Sequence, residues 1–539
     1  MPEVTETRVS QLKKLLSLIT IEPVIIFFLF GVVISTGLRI FELEKACATK
    51  SNVDLKVCEF FPRLEENNLC EDLSIESLNE SSVVTVAAGD VYSVDNDTSQ
   101  VDEFNRLVCS EKVKSIQEVT FLNSYRTIIT GLVQAVVLLF AGSWSDRAGL
   151  RKPCILIPIA ADTLGVCVLI TSAVFMREIP LEVTGILPQL ISSLSGGTPL
   201  VVTGIFSYLT IVTTESDRTF RFACATVVIA TIPILASFFS GYIFQALGFI
   251  KLCLLCMVTN TLGLLYGLFI LKEPVRVEPT IDENAIHKSS NVENGSLPSP
   301  KTLQKACDTS LVTDCVQVLT KKRDYNIRAI LILTLVVFFI NFGAAGDAES
   351  ALNIAILKFN WISNLGTWVA YDLLSTLVGT MLAMGVLSKC FGVSDYLICV
   401  FSVCFTLVAK PIMAYAASAV KPFMYYVATS IDIFEGSKAV AIRSIVSKLV
   451  EENEIGKMLS ILGIVDSAQA VIYPTIYSAV FLESQNVFIG SVFLLSEAFL
   501  LVSLGFYLSL YVMSRKLNRK KELHSREGID NTAVDVTYV

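Results

Sequence analysis

Histidine is almost missing from this chain: two stand in 539 residues, His287 and His524. Both fall in polar segments, so none sits inside an apolar run where it could relay a proton or assist a nucleophile. A phosphate-binding loop is missing as well, and an enzyme is not expected. Cys253 and Cys256 form a C-x-x-C with no metal partners nearby in sequence, so packing is their role, and neither a metal nor a cofactor is expected. Charge is also scarce. Asp, Glu, Lys and Arg make up 17% of the chain, whereas soluble domains carry about one-quarter. The net charge of −8 arises from acids concentrated in loops, and nothing points to nucleic acid.

What is abundant is apolar. Hydrophobic residues make up 53% of the chain, arranged in runs near the roughly 20 residues that span a bilayer. Twelve such runs are expected as transmembrane helices, giving an all-α membrane protein in two pseudo-symmetric six-helix halves. The first half, 1–271, holds runs at about 20–41, 123–142, 153–175, 184–213, 219–246 and 250–271. The second, 327–514, holds runs at about 327–350, 362–388, 394–418, 421–448, 457–482 and 487–513. The seventh is expected to continue to about 357, with a break near Gly343 and Gly346. A polar linker (272–326) and a tail (515–539) complete the chain.

Between the second and third runs, residues 142–153 read Gly-Ser-Trp-Ser-Asp-Arg-Ala-Gly-Leu-Arg-Lys-Pro. Arg147, Arg151 and Lys152 hold this tight turn on the cytoplasmic surface by the positive-inside rule. Asp146 and Gly149 add nothing to anchoring and suit a breakable gate. The pattern G-x-x-S-D-R-x-G-x-R-K resembles the loop between helices 2 and 3 of major facilitator superfamily transporters. That resemblance implies gating by Asp146, Arg147, Gly149 and Arg151. Other bases fall on the same side: Arg8, Lys13, Lys14, Arg218, Arg221, Lys448, Lys457, and the Arg515 to Lys521 group. Both termini are therefore expected in the cytoplasm. The first run is too long for a cleaved signal peptide and lacks a small-residue cleavage site.

The loop at about 42–122 then lies outside the cell or in a lumen. It carries Cys47, Cys58, Cys70 and Cys109, an even set expected to form disulfides of undetermined pairing. It also carries two glycosylation sequons, at Asn79 and Asn96.

A narrower resemblance rests on Ile21-Glu22-Pro23-Val24, Gly142-Ser143-Trp144-Ser145-Asp146, Arg218-Thr219-Phe220-Arg221, Ile442-Arg443-Ser444, Ser447-Lys448-Leu449-Val450 and Tyr477-Ser478-Ala479. Together with the cysteine-bearing first loop, these are similar to the proton-coupled folate transporter family, solute carrier family 46. The resemblance implies substrate handling by Arg443. It also shows departures: the family's helix-5 proton glutamate falls at Thr226, and its helix-7 histidine at Asn341.

Ionisable residues inside apolar runs are functional candidates because burying a charge in the bilayer is costly. The tenth run is richest, with Asp432, Glu435, Lys438 and Arg443. At the angular step of a regular helix, Asp432 and Arg443 share a face, and Glu435 can pair with Lys438. This face is expected to line the path, with Arg443 or Lys438 attracting an anion. Asp466 is the first choice for proton coupling, because it lies near mid-run in the pseudo-symmetric partner of helix 5; Asp162 is in reserve. Asp347, Asp372 and Lys410 complete the set. The expectation is a monomeric secondary transporter of a small organic anion, working by alternating access with possible proton coupling, in the plasma or lysosomal membrane. Its partners are that substrate, protons and the bilayer. The rivals are a non-transporting receptor or scaffold, and a drug–proton antiporter.

Overall fold

A computed structural model describes residues 21–51, 53, 55–61, 98–148, 150–213, 215–273, 319–321, 323, 327–451 and 454–535. Among these the chain is helical, with no strand. A spanning segment must satisfy every backbone polar group internally, and helices do so. α1 (Glu22–Leu29) passes through a 3₁₀ turn (Phe30–Ile34) into α2 (Ser35–Lys50), and α3 (Leu55–Cys58) is short. Then come α4 (Thr98–Ala148), α5 (Lys152–Val174), α6 (Leu181–Leu194), α7 (Gly197–Val212), α8 (Glu215–Leu247) and α9 (Phe249–Phe269). After the linker follow α10 (Ile327–Ala345), α11 (Ala348–Phe359), and α12 (Ser363–Met381), which continues as a π segment to Cys390. The last are α13 (Asp395–Ser418), α14 (Pro422–Ile431), α15 (Ser437–Leu449), α16 (Ile455–Ser484) and α17 (Ser491–Asp535).

Ten stretches among the described residues are long and apolar enough to cross a bilayer. The expected runs at 421–448 and 457–482 are helical too, but are not among the ten. Several boundaries differ from expectation. The expected fourth run divides into α6 and α7, because Gly196 and Gly197 adopt φ of 90° and 55°, a left-handed backbone that ends a helix. The expected first loop is partly helical: α2 runs on to Lys50 and α4 begins at Thr98. α4 also continues through Ala148, so Gly142 to Asp146 are helical rather than part of a turn. The break near Gly343 and Gly346 is present, between α10 and α11.

Among the described residues, three apolar clusters hold the structure. One is drawn from residues 21–271, including Ile25, Ile155 and Tyr208. A second is drawn from residues 330–517, including Phe338, Val403 and Tyr507. The largest takes from both stretches, joining Phe41 and Leu122 to Trp361 and Tyr425. Large apolar side chains such as Leu164, Val258, Val408 and Leu501 face outward, as lipid contact requires. α8 and α12 approach especially closely. A Cβ on Gly241 would strike the backbone of Ile362 and Ser363, and one on Gly366 would strike Ser237 O.

Candidate functional site

Arg443 and Asp466 bring α15 and α16 together. The Arg443 guanidinium donates to Asp466 Oδ2 at 3.1 Å, with the two side chains 46% and 30% exposed. Asp466 Oδ1 is buried without a hydrogen-bond partner. The pair is thus open on one side and incompletely satisfied on the other. Both residues are sequence candidates, but their pairing is not legible there.

The rest of the tenth run departs from expectation. α14 ends at Ile431, a 3₁₀ turn covers Asp432–Phe434, and α15 starts at Ser437. This break changes the helical phase, so Asp432 and Arg443 do not share the face of one regular helix. Glu435 does not pair with Lys438 either. The Lys438 ammonium is buried and donates to Thr406 Oγ1 at 3.2 Å, and that hydroxyl donates to Asp432 Oδ1 at 2.6 Å. Lys438, Thr406 and Asp432 therefore form a chain between α15, α13 and the 3₁₀ turn. Asp162 lies on α5 with Ser192 of α6 nearby.

Next to this chain is a buried ion pair. Lys410 Nζ lies 3.0 and 2.8 Å from the two oxygens of Asp347. Ser496 donates to Asp347 Oδ2 at 2.8 Å, and Tyr477 on α16 donates to Gly343 O at 2.6 Å, near the end of α10. The charges of Lys410, Asp347 and Glu435 all act on Asp372.

A second constellation joins the two stretches of chain. Arg39 on α2 makes a two-pronged contact with Glu349 on α11, at 2.7 and 2.5 Å, and Asn123 on α4 donates to the same carboxylate at 2.8 Å. Arg126 donates to Glu42 at 2.5 Å. Further along α11, Asn353 donates to Thr120 at 3.1 Å, and the buried Lys112 donates to Asn360. The sequence reading missed these residues. Arg39, Arg126 and Glu349 could have been found as charges at the edges of apolar stretches, the signal that picked out Asp347.

Of the gating candidates, Gly149 lies outside the described residues, as do the side chains of Asp146 and Arg147. At Arg151 and Lys152 the backbone N–H groups donate to Glu273, at 2.5 and 3.2 Å, and Lys152 Nζ donates to Leu268 O at 2.7 Å. Glu273 thereby satisfies the free donors at the start of α5 and ties it to the end of α9. Two quoted motifs also meet: Glu22 and Arg221 lie 3.7 Å apart. Thr226 is exposed on α8 and Asn341 is buried on α10. Cys47 and Cys58 form a disulfide. Cys109 is also disulfide-bonded; its partner, together with Cys70, Asn79 and Asn96, lies outside the described residues. Cys253 and Cys256 are buried free thiols.

No family model matches the chain. It is 24% identical to the proton-coupled folate transporter of Rattus norvegicus over 399 residues, covering 72% of this chain and 79% of the relative. It is 22% identical to solute carrier family 46 member 2 of Mus musculus over 322 residues, covering 57% and 64%. Among solved structures it resembles the human organic anion transporter MFSD10, with a TM-score of 0.52 at 12% identity, covering 90% of this chain and 98% of that one. A peptide transporter POT in complex with sulfate gives 0.54 at 10% identity, covering 92% and 95%. The likeness to solute carrier family 46 is thus found across most of the chain, and the fold is that of major facilitator transporters. These relatives are membrane transporters, not enzymes.

Proposed function

We propose that this chain is a secondary transporter that carries a small organic anion together with protons, by alternating access between two six-helix halves. The halves are 1–271 and 327–514, joined by the 272–326 linker and followed by the 515–539 tail. Both termini face the cytoplasm, in the plasma or lysosomal membrane, and the working unit is a monomer. Relatives named for proton-coupled folate and for organic anion transport support this class of cargo.

The observation that carries the reading is the half-exposed Arg443–Asp466 pair. An arginine grips a carboxylate or phosphate in two-pronged fashion. While Asp466 is ionised it occupies that grip. A proton on Asp466 removes its charge and frees the guanidinium for the anion, so cargo and proton arrive together. Proton loss restores the internal pair and expels the anion. Lys438, five residues before Arg443 on α15, adds positive charge, while Asp432 and Glu435 limit it. Asp162 is the reserve proton site. Asp146, Arg147, Gly149 and Arg151 act in conformational exchange rather than in binding.

An uptake screen in reconstituted vesicles over folates, haem, cyclic dinucleotides and peptidoglycan fragments identifies the cargo. With that cargo, an inward proton gradient drives accumulation by the native protein. Asp466→Asn keeps exchange of labelled for unlabelled cargo but loses gradient-driven accumulation. A variant that accumulates cargo as well as the native protein overturns the coupling. Vesicles with no uptake of any compound favour the receptor reading.

A further inference from the structure

The Arg39–Glu349 contact joins the two stretches of chain, within a small group of charged and polar side chains. α2 contributes Arg39 and Glu42, α4 contributes Asn123 and Arg126, and α11 contributes Glu349. The charges of Arg126 and Arg39 both act on Glu349, and that of Glu42 on Arg39. The other charge on α11's first turn, Asp347, faces away, bound by Lys410 of α13 and Ser496 of α17. From α16, Tyr477 turns to Gly343 and Ser496 rather than to Glu349. At the far end of α11, Lys112 is held by Asn360.

The group is neutral while closed: two arginines and two carboxylates. Its division is uneven. If α11 moves off α2 and α4, Glu42 stays with Arg126, while Arg39 is left with an unmatched positive charge and Glu349 with an unmatched negative one. The Arg39 and Glu349 side chains are only part-buried, 22% and 28% exposed, and separating their charges in that partly desolvated place still has a cost. Two ligands remove that cost: a proton on Glu349 and an anion on Arg39.

We propose that Arg39 and Glu349 form a second ligand site, on the opposite side of the membrane from Arg443 and Asp466, where Glu349 takes a proton and Arg39 docks the carboxylate or phosphate of the incoming anion. The anion's identity rests on the symport reading above; the proton's place does not. Protonation favours the arrangement in which the pair is broken, because only there does Glu349 lack its cationic partner. Acid on the outer side therefore opens this face, and the freed guanidinium offers the anion its first hold.

The test reads opening directly, without cargo. Asn353 is buried against Thr120 on the α11–α4 seam. Asn353→Cys, in sealed vesicles or intact cells, is exposed to a membrane-impermeant maleimide at outer pH 7.5 and 4.5. Label on the protein without that substitution is subtracted, since Cys167, Cys390 and Cys404 are exposed. The reactive thiolate becomes scarcer in acid, so each labelling rate is divided by that of the same variant unfolded in SDS at the same pH. This normalised labelling is expected to rise at least about twofold in acid, as a carboxylate crosses into its protonated form. Adding Glu349→Gln gives high labelling at both pH values, and Glu349→Asp keeps the acid response. A flat response in Asn353→Cys alone overturns the proposal, whether or not the Gln variant folds. So does a Gln variant that keeps the full acid response. Because no cargo is present, this result is independent of whether uptake confirms the symport reading.

Discussion

Asp347 and Glu349 stand two residues apart at the start of α11, yet opposite ends of the chain hold their carboxylates. Asp347 is bound by Lys410 and Ser496, Glu349 by Arg39 and Asn123. Positions two apart on a helix lie about 200° apart around its axis, so their side chains leave on opposite flanks. α11 is therefore fixed to α13 and α17 on one flank and to α2 and α4 on the other.

The Asp347–Lys410 pair is buried, with Ser496 also donating to Asp347, so removing one member leaves an uncompensated charge. Lys410→Met is expected to cost about 3–5 kcal/mol. Pairing it with Asp347→Leu should recover most of that loss. Thermal unfolding in detergent checks both, and a double variant no more stable than the single one would refute the account.

The α8–α12 contact leaves no space for a methyl group. Gly241→Ala and Gly366→Ala are each expected to cost about 1–3 kcal/mol through overpacking. Gly505→Ala on α17, where a Cβ meets nothing within 4 Å, should be neutral or mildly stabilising, since alanine favours helix. Equal unfolding temperatures for all three would show that the close approach does not matter.

Before α16, Glu454 is held by Lys321 at 2.8 Å and Arg323 at 2.7 Å. Burial works to raise the Glu454 carboxyl, but the hydrogen bonds from Lys321 and Arg323 outweigh it and keep it below the ordinary value. A depressed carboxylate stabilises the fold above its unfolded value, and that contribution is lost as pH falls through the folded one. The unfolding temperature should therefore drop on acidification, less steeply in Glu454→Gln. Parallel acid limbs in the two proteins would remove Glu454 from the explanation.

Asn79→Gln with Asn96→Gln should increase gel mobility when the protein is made in a glycosylating host. Unchanged mobility would place the first loop in the cytoplasm or leave both sequons unused.

Much of the fold was legible because a bilayer imposes a simple length rule, and apolar runs report it directly. The α10–α11 break was readable from Gly343 and Gly346. The α6–α7 break was not, because Gly196-Gly197 sits in a run whose hydrophobicity continues across it. At the candidate site, Arg443 and Asp466 were each visible as charges in apolar surroundings. Their contact was not, since it depends on how two helices turn toward each other. The face drawn through Asp432 and Arg443 failed because it assumed a regular helix across a 3₁₀ turn. The Glu435–Lys438 pairing failed because Thr406, 32 residues from Lys438 in the chain, reaches that ammonium instead. Arg39 and Glu349 are separated by 310 positions, and no local pattern links them.

The bare meeting of α8 and α12 bears on how the molecule can move. Side chains that interlock behave like gear teeth and resist rotation. Gly241 and Gly366 supply none, so at these two positions the rods bear on each other through main chain and the small Ser240 hydroxyl. Such a point works as a fulcrum: it carries load while allowing tilt. Any swing that parts the helices at one membrane face is then levered into approach at the other. In the alternating-access reading proposed above, one tilt about this point would close one face as it opens the other, with no separate device.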